Sequence, residues 1–169
     1  MNKSKPRFRT AIVALALTAM LGGCGFTPLY ATGGGIQDLP AIEVMAPQGR
    51  VAYLLREDLE DAIGRDKSRP AVWRLDIDVV QVRDPRGLRR DNVAERYELG
   101  LTVKYSLTSL ATGKVARTGE VVSEVSYDAA DAPYAGIAAR QDSQERAAAD
   151  SARRIQIQLA SWLARRPGN

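Results

Sequence analysis

The chain has 169 residues, with 24 Lys and Arg against 20 Asp and Glu, one cysteine and no histidine. Four of the basic residues precede residue 24, so the rest carries 20 bases against 20 acids and gives no argument for nucleic-acid binding. A single cysteine excludes an intramolecular disulfide. The absence of histidine excludes Ser-His-Asp and Cys-His catalysis and any His-ligated metal site.

The first 23 residues have the features of a bacterial lipoprotein signal peptide. A basic head precedes an apolar run, residues 11–21, which is about half the roughly 20 residues that a membrane-spanning helix needs. Leu21-Gly22-Gly23-Cys24 follows, and it predicts cleavage before Cys24 and acylation of that residue. The alternatives are an ordinary cleaved signal that leaves a free thiol, a liability in an oxidising compartment, or a short buried helix with an unreactive cysteine.

Residues 24–40 are expected to form the lipidated N-terminal segment and a linker. One acyl chain binds a membrane only marginally, so several chains on Cys24 would make release negligible. Gly25 stands where an Asp commonly retains such proteins at the inner membrane, which favours the outer membrane. The Ala-Thr-Gly-Gly-Gly stretch at residues 31–35 is typical of a flexible spacer.

Residues 41–166 are expected to form one domain, which begins with a short strand at residues 41–45 and a helix at residues 51–63. Apolar residues of the helix recur every three or four positions, which is the spacing of one buried face. Its acidic residues occupy the other side and predict a solvated surface. Gly64 is placed to end the helix in a left-handed conformation.

Three long strands are predicted next, at residues 72–82, 93–109 and 115–127. In the first strand, Val80 and Val82 interrupt the polar alternation, which indicates a bulge or a stretch buried on both faces. The second strand has the clearest period of two. Its apolar side is formed by Tyr97, Leu99, Leu101, Val103, Tyr105 and Leu107.

A long helix at residues 133–165 completes the domain, with Asp131 as the predicted N-cap and Pro133 in the first turn. The order β-α-β-β-β-α predicts an α+β two-layer sandwich, in which two helices cover one face of a mainly antiparallel sheet of about four strands. The expected core consists of Leu99, Leu101 and Val103 packed against Leu59, Ile155 and Leu159.

Catalytic and metal-binding patterns are not found, so we expect neither an enzyme nor a cofactor or metal site. Two basic places remain as candidate binding sites: a predicted loop at residues 83–90 and Arg140 in the first turns of the last helix. Guanidinium groups suit bidentate contacts to phosphate. Leu88 and Ile137 could add an apolar platform beside them. The alternative is a solvated loop and an ordinary surface arginine.

Four short motifs, in this order of elements, resemble the lipopolysaccharide-assembly lipoproteins of the LptE family, especially their alphaproteobacterial branch. The motifs are Cys24-Gly25-Phe26-x-Pro28-Leu29-Tyr30, Glu95-Arg96-Tyr97, Ser126-Tyr127-Asp128 and Ala139-Arg140-x-Asp142-x-Gln144. The sequence departs from the enterobacterial branch because it lacks a long polar C-terminal tail.

The resemblance implies a lipoprotein anchored in the inner leaflet of the outer membrane. Its domain would plug an LptD-like β-barrel, the translocon that inserts lipopolysaccharide into the outer leaflet. Carried over from the family, the lipopolysaccharide-binding residues would be Arg89, Arg90 and Arg140. The alternatives are a lipoprotein subunit of another envelope lipid transporter, such as an ABC-type auxiliary, and a sensor or peptidoglycan-associated lipoprotein.

Overall fold

The computed structural model describes residues 38–88, 90, 94–130 and 132–166. These residues belong to one of the two compact units of the chain, Gly34–Asn169. The predicted signal peptide, Cys24 and most of the linker lie outside the described residues, as do Arg89 and Asp131.

Four strands form one mixed sheet in the order β1-β2-β3-β4. The strand β1 is parallel to β2, because the helix α1 connects them as a crossover, and the remaining pairs are antiparallel. This confirms the predicted α+β fold class. After a short 3-10 helix (Leu39–Ala41), the elements are β1 (Ile42–Met45), α1 (Arg50–Ile63), β2 (Trp73–Leu88), β3 (Ala94–Ser109), β4 (Val115–Asp128) and α2 (Pro133–Leu163).

The helix α1 follows its sequence pattern closely. Its buried residues are the three- and four-spaced apolar ones, including Leu55 and Leu59. Gly64 ends the helix with φ 64°, a left-handed conformation that glycine adopts without the steric cost of a Cβ. Its backbone N–H donates to the carbonyl of Asp61, as the sequence predicted for a helix C-terminus.

The helix α2 begins at Pro133, but the predicted N-cap Asp131 is wrong. Ala132 takes the cap position in an extended conformation, and no side chain caps the helix. The first turns of the helix are exposed to solvent, and Tyr134 is 88% exposed. From Ser143 onward, the inner face of the helix is buried. No helix among the described residues is long and apolar enough to cross a bilayer.

The strand β2 has no bulge at Val80 and Val82, which corrects the sequence prediction. Its register with β3 runs unbroken from Trp73 opposite Ser109 to Arg86 opposite Arg96. Both valines lie on the face turned away from the helices and are about half exposed. The alternation between the two faces of the sheet is therefore regular along β2. The odd-numbered residues stay on the face that the helices cover, and the even-numbered ones stay on the open face.

The predicted loop at residues 83–90 is also wrong, since β2 continues to Leu88. These residues pair with the beginning of β3, with Arg83 opposite Leu99 and Pro85 opposite Tyr97. Proline has no backbone N–H and cannot donate a ladder hydrogen bond, so it is confined to positions where that donor would face a free edge. It is tolerated here because β1 pairs only with residues 73–76, so the other edge of β2 is free at Pro85 among the described residues.

The core lies between the sheet and the two helices, as predicted. Six residues expected there are all 0% exposed: Leu59, Leu99, Leu101, Val103, Ile155 and Leu159. Three alanines of α2 are buried as well and let the helix approach its neighbours closely. They are Ala147, Ala148 and Ala152. The far side of the sheet carries no helix among the described residues and is mostly polar.

Truncating Leu101 to alanine should destabilise the domain by about 2–5 kcal/mol, because a fully buried leucine leaves a cavity that the surrounding packing fills only in part. Urea denaturation of the folded domain measures the effect. Leu110→Ala is the matched control, since Leu110 is exposed and should lose well under about 1 kcal/mol. Equal unfolding free energies for the two variants would contradict the position of the core.

Candidate functional site

A pocket of about 240 Å³ lies where the ends of the long strands meet the first turns of α2. The strands β2 and β3 extend here beyond the short β1, and the exposed start of α2 forms the opposite wall. Two arginines, Arg83 from β2 and Arg140 from α2, line the pocket together. The remaining lining residues are Tyr97, Tyr127, Asp128, Ala129, Ala130, Pro133, Gly136 and Ile137.

A stack of aromatic rings fixes Arg83. Its guanidinium carbon lies 4.6 Å from the centroid of the Tyr97 ring, within the range of a cation–π contact. Tyr97 in turn stacks on Tyr127, with centroids 5.5 Å apart and an interplanar angle of 28°. These two tyrosines face each other across β3 and β4, so the sheet register builds the platform. The stack holds the cation while leaving its N–H donors for a ligand.

Neither Arg83 nor Arg140 forms an ion pair with another described residue, whereas neighbouring arginines do. Arg86 donates two hydrogen bonds to Glu98, at 3.2 Å and 2.9 Å. This contact holds the pKa of Glu98 below its ordinary value and raises the pKa of Arg86. A second pair joins Arg96 to Asp128 at 3.1 Å, so the carboxylate that lines the pocket is already engaged. Of the four arginines at this end of the sheet, Arg83 and Arg140 are therefore the two whose charge no described carboxylate compensates.

An adjoining groove of about 680 Å³ lies at the same end of the sheet and shares Asp128 and Ala129 with the pocket. Its two arginines are Arg86 and Arg96, whose guanidinium groups are paired with carboxylates. An anion would have to compete with these ion pairs. The pocket lined by Arg83 and Arg140 is therefore the better anion site of the two, because its arginines are not paired with described carboxylates.

The pocket also supplies apolar and hydrogen-bonding surface. Ile137 is 45% exposed and lines it beside Arg140, as the sequence analysis anticipated for an apolar contact. Tyr127 is buried, and its hydroxyl has no hydrogen-bond partner among the described residues. A buried polar group without a partner costs free energy unless water or a ligand satisfies it.

The structure treats the three predicted lipid-binding arginines differently. Arg140 lines the pocket, whereas Arg90 is an exposed turn residue after β2 and is not among the pocket-lining residues. Arg89 lies outside the described residues, as does the side chain of Leu88. Sequence reasoning included Arg83 in the basic segment but did not single it out. The sequence does contain a signal for Arg83. It occupies an odd-numbered position, and the odd-numbered residues form the apolar side of β2, which faces the helices.

The fold is that of several bacterial lipoproteins of known structure. A lipoprotein from Caulobacter crescentus CB15 is 41% identical, with a TM-score of 0.67, over 78% of this chain and 96% of that chain. Rare lipoprotein B from Shewanella oneidensis shares the fold at 18% identity and a TM-score of 0.55, over 72% of this chain and 92% of that chain. A lipoprotein B from Nitrosomonas europaea shares the fold at 17% identity and a TM-score of 0.56, over 73% of this chain and 84% of that chain.

The family model described as LptE, Lipopolysaccharide-assembly, matches residues 39–159. The chain belongs to this family of lipopolysaccharide-assembly lipoproteins, which confirms the resemblance that the motifs indicated. A search of curated protein sequences returned no match.

Proposed function

We propose that this protein is a lipid-anchored lipoprotein of the outer membrane that binds lipopolysaccharide and assists its insertion into the outer leaflet as the plug of an LptD-like β-barrel. The observation that carries the lipid-binding part is the pocket at the end of the sheet. There, two arginines without ion-pair partners among the described residues face aromatic and aliphatic side chains. Membership in the lipopolysaccharide-assembly family supports the proposed role in lipopolysaccharide insertion.

The chemistry of the pocket suits the charged part of a glycolipid. Guanidinium groups bind phosphate or carboxylate oxygens through paired hydrogen bonds, so either form of acidic head group would be accepted. At about 240 Å³ the pocket holds one such group rather than a whole lipid. The tyrosine rings and Ile137 then contact the less polar part of the ligand, and the acyl chains stay outside.

The proposed role is passive binding and positioning, without catalysis. The pocket contains neither a serine, threonine or cysteine nucleophile nor a lysine among its lining residues. Arg90, exposed in the turn after β2, and Arg89 beside it in the sequence would make additional contacts to the lipid outside the pocket. The domain would face the periplasm and the barrel lumen, while Cys24 would carry the acyl chains in the membrane.

Affinity isolation of the full-length lipoprotein from detergent-solubilised envelopes tests the proposed assembly. We expect a large heat-modifiable barrel protein in about one-to-one ratio, because a plug forms a stable complex with the barrel that surrounds it. An unrelated outer-membrane lipoprotein, expressed at the same level and carrying the same tag, is the control. Recovery of an inner-membrane ATPase or of cell-wall sacculi in place of the barrel would contradict the proposal and support one of the two alternatives.

A further inference from the structure

The end of the sheet opposite the pocket carries exposed apolar side chains at the ends of three neighbouring strands. Val72 lies directly before β2 and Leu110 directly after β3, and the Leu110 N–H donates to the Val72 carbonyl at 3.0 Å. Val115 begins β4 in the same hairpin as Leu110. These three side chains are 43–58% exposed. Because all of them lie at strand ends, a flat surface laid against this end of the domain could reach all three.

Positive charge is concentrated at the same end. We call it the basic end and define it as residues 38–41, 64–72, 109–115 and 163–166. These residues include six Lys and Arg against two Asp, whereas the chain from residue 24 onward has equal numbers of bases and acids. Lys114, Arg165 and Arg166 form no ion pair with another described residue. The basic end therefore attracts an anionic partner and repels a second copy of itself.

Contacts between the segments hold the basic end together. The Val72 N–H donates to the Ala41 carbonyl at 2.9 Å. The guanidinium carbon of Arg166 lies 4.7 Å from the ring centroid of Trp73 and 5.1 Å from that of Trp162, and the two indole rings meet edge to face. Arginine and tryptophan combine apolar surface with a polar group, and both occur at the boundary between lipid and water. The basic end thus has the composition of a membrane-facing surface.

The chain enters the domain at the basic end. Residue 38 is the first described residue, and the thirteen residues 25–37 separate it from Cys24. A fully extended chain of that length spans at most about 45 Å. The pocket lies farther away, since Arg83 follows Trp73 by ten residues of β2, or about 33 Å. Acyl chains on Cys24 would therefore tether the basic end to a membrane more closely than the pocket.

We propose that the basic end lies against the anionic phospholipid head groups of the leaflet that holds the acyl chains of Cys24, as long as the domain is outside a barrel. The apolar side chains enter the head-group boundary, and the cations contact lipid phosphates. Tethering keeps the local concentration of lipid high, so a contact that is weak on its own suffices. This inference rests on the predicted acylation of Cys24, and it goes beyond the proposed function because it needs no barrel.

The contact orients the domain on the membrane. The pocket with Arg83 and Arg140 is at the opposite end of the sheet, so it faces the aqueous compartment while the basic end lies on the lipid. A ligand that arrives from that compartment reaches the pocket without passing the tethered end. The two ends of the domain therefore serve two lipids, phospholipid of the membrane at the basic end and the proposed lipopolysaccharide ligand at the pocket.

Fluorescent labelling of the acylated full-length lipoprotein in phospholipid vesicles tests the proposal. Acylation occupies the Cys24 thiol, so Leu110→Cys supplies the only free thiol for a label. In vesicles of phosphatidylglycerol and phosphatidylcholine, the label at position 110 should be at least about threefold better protected from aqueous acrylamide than the same label on Tyr134→Cys. Tyr134 is 88% exposed in the first turn of α2, at the pocket end. Equal protection at the two positions would overturn the proposal.

Removal of charge provides the second measurement. Lys114→Gln with Arg165→Gln should reduce the protection at position 110 at least about twofold, and vesicles of phosphatidylcholine alone should do the same to the protein with both cations. Arg146→Gln with Arg153→Gln removes as much charge from ion-paired positions of α2 and should leave the protection unchanged. Melting curves establish that both double variants are folded. The same protection in both variants and in both lipid mixtures would contradict a contact with anionic head groups.

The outcomes separate this inference from the proposed function, because the vesicles contain no barrel. If the lipoprotein isolates the barrel from envelopes but position 110 is unprotected in vesicles, the membrane contact is wrong and the translocon role stands. If position 110 is protected and no barrel is isolated, the contact stands and the proposed function fails. The contact also fails if Cys24 carries no acyl chain, or if position 110 is protected in native envelopes only, since a protein would then cover the basic end.

Discussion

Replacing Arg83 and Arg140 together with alanine should weaken lipopolysaccharide binding by one or more decades while the domain stays folded. Each charge-assisted hydrogen bond contributes about 1.5–3 kcal/mol, and 1.4 kcal/mol corresponds to a factor of ten in affinity. Both side chains lack an ion-pair partner among the described residues, so their removal leaves no buried carboxylate uncompensated and should cost little stability.

The matched control for this double variant is Arg146→Ala with Arg153→Ala. These arginines lie on the exposed side of α2 and interact with Asp142 and Asp150 of the same helix. The control removes the same amount of charge from α2, the helix that carries Arg140, so a general electrostatic effect would weaken both variants alike. Binding should be measured with the soluble domain at physiological salt, and melting curves should accompany each measurement.

Two results would contradict the assignment of the pocket. One is a folded Arg83→Ala, Arg140→Ala variant that binds lipopolysaccharide as tightly as the wild type. The other is an equal loss for the control pair. The single variant Arg90→Ala should lose less than Arg140→Ala, because Arg90 is exposed in a turn and does not line the pocket.

The parts of the fold that the sequence predicted correctly are those with strong local patterns. The period of two in β3 and the three- and four-residue spacing of α1 place Leu101 and Leu59 in the core without any knowledge of the partner strands. Gly64 marks the end of α1 by its own conformational freedom. These features depend on neighbours within a few residues along the chain.

The errors occur where a distant partner decides the structure. Pro85 and Gly87, with several charges around them, have the composition of a loop, but the start of β3 pairs with this segment and extends β2. The same extension brings Arg83 to Arg140, which lies in a different element and far along the sequence. No local pattern in either segment indicates that meeting, so the pocket could not be predicted from the sequence.

Gly119 illustrates a further constraint that composition does not reveal. A Cβ atom at this position would lie 2.4 Å from the ring of Tyr105, which is opposite it in the sheet. The Tyr105 hydroxyl donates to Gln158 at 2.6 Å and accepts from Arg117 at 3.3 Å, so the ring is held in place. In the sequence Gly119 only weakens a predicted strand, whereas in the fold it makes room for an aromatic ring.

Replacing Cys24 with alanine should abolish acyl labelling and transfer the protein from the detergent phase to the aqueous phase. The physical reason is that acyl chains bind a membrane by about 0.8 kcal/mol for each buried CH₂ group, so several chains on one residue give an anchor of very low dissociation. The measurement is metabolic labelling with a radioactive fatty acid, followed by phase partitioning of the cell envelope fraction.

The control for Cys24→Ala is Gly23→Ala, which keeps a small residue directly before the cysteine and should therefore keep both cleavage and labelling. The two variants differ in whether the only thiol of the chain is present, while both add one alanine to the same short motif. If the leader is cleaved from Cys24→Ala and the product still enters the detergent phase, another part of the chain holds it at the membrane. Lipid anchoring through Cys24 would then be wrong, although the pocket at Arg83 and Arg140 could still bind lipopolysaccharide.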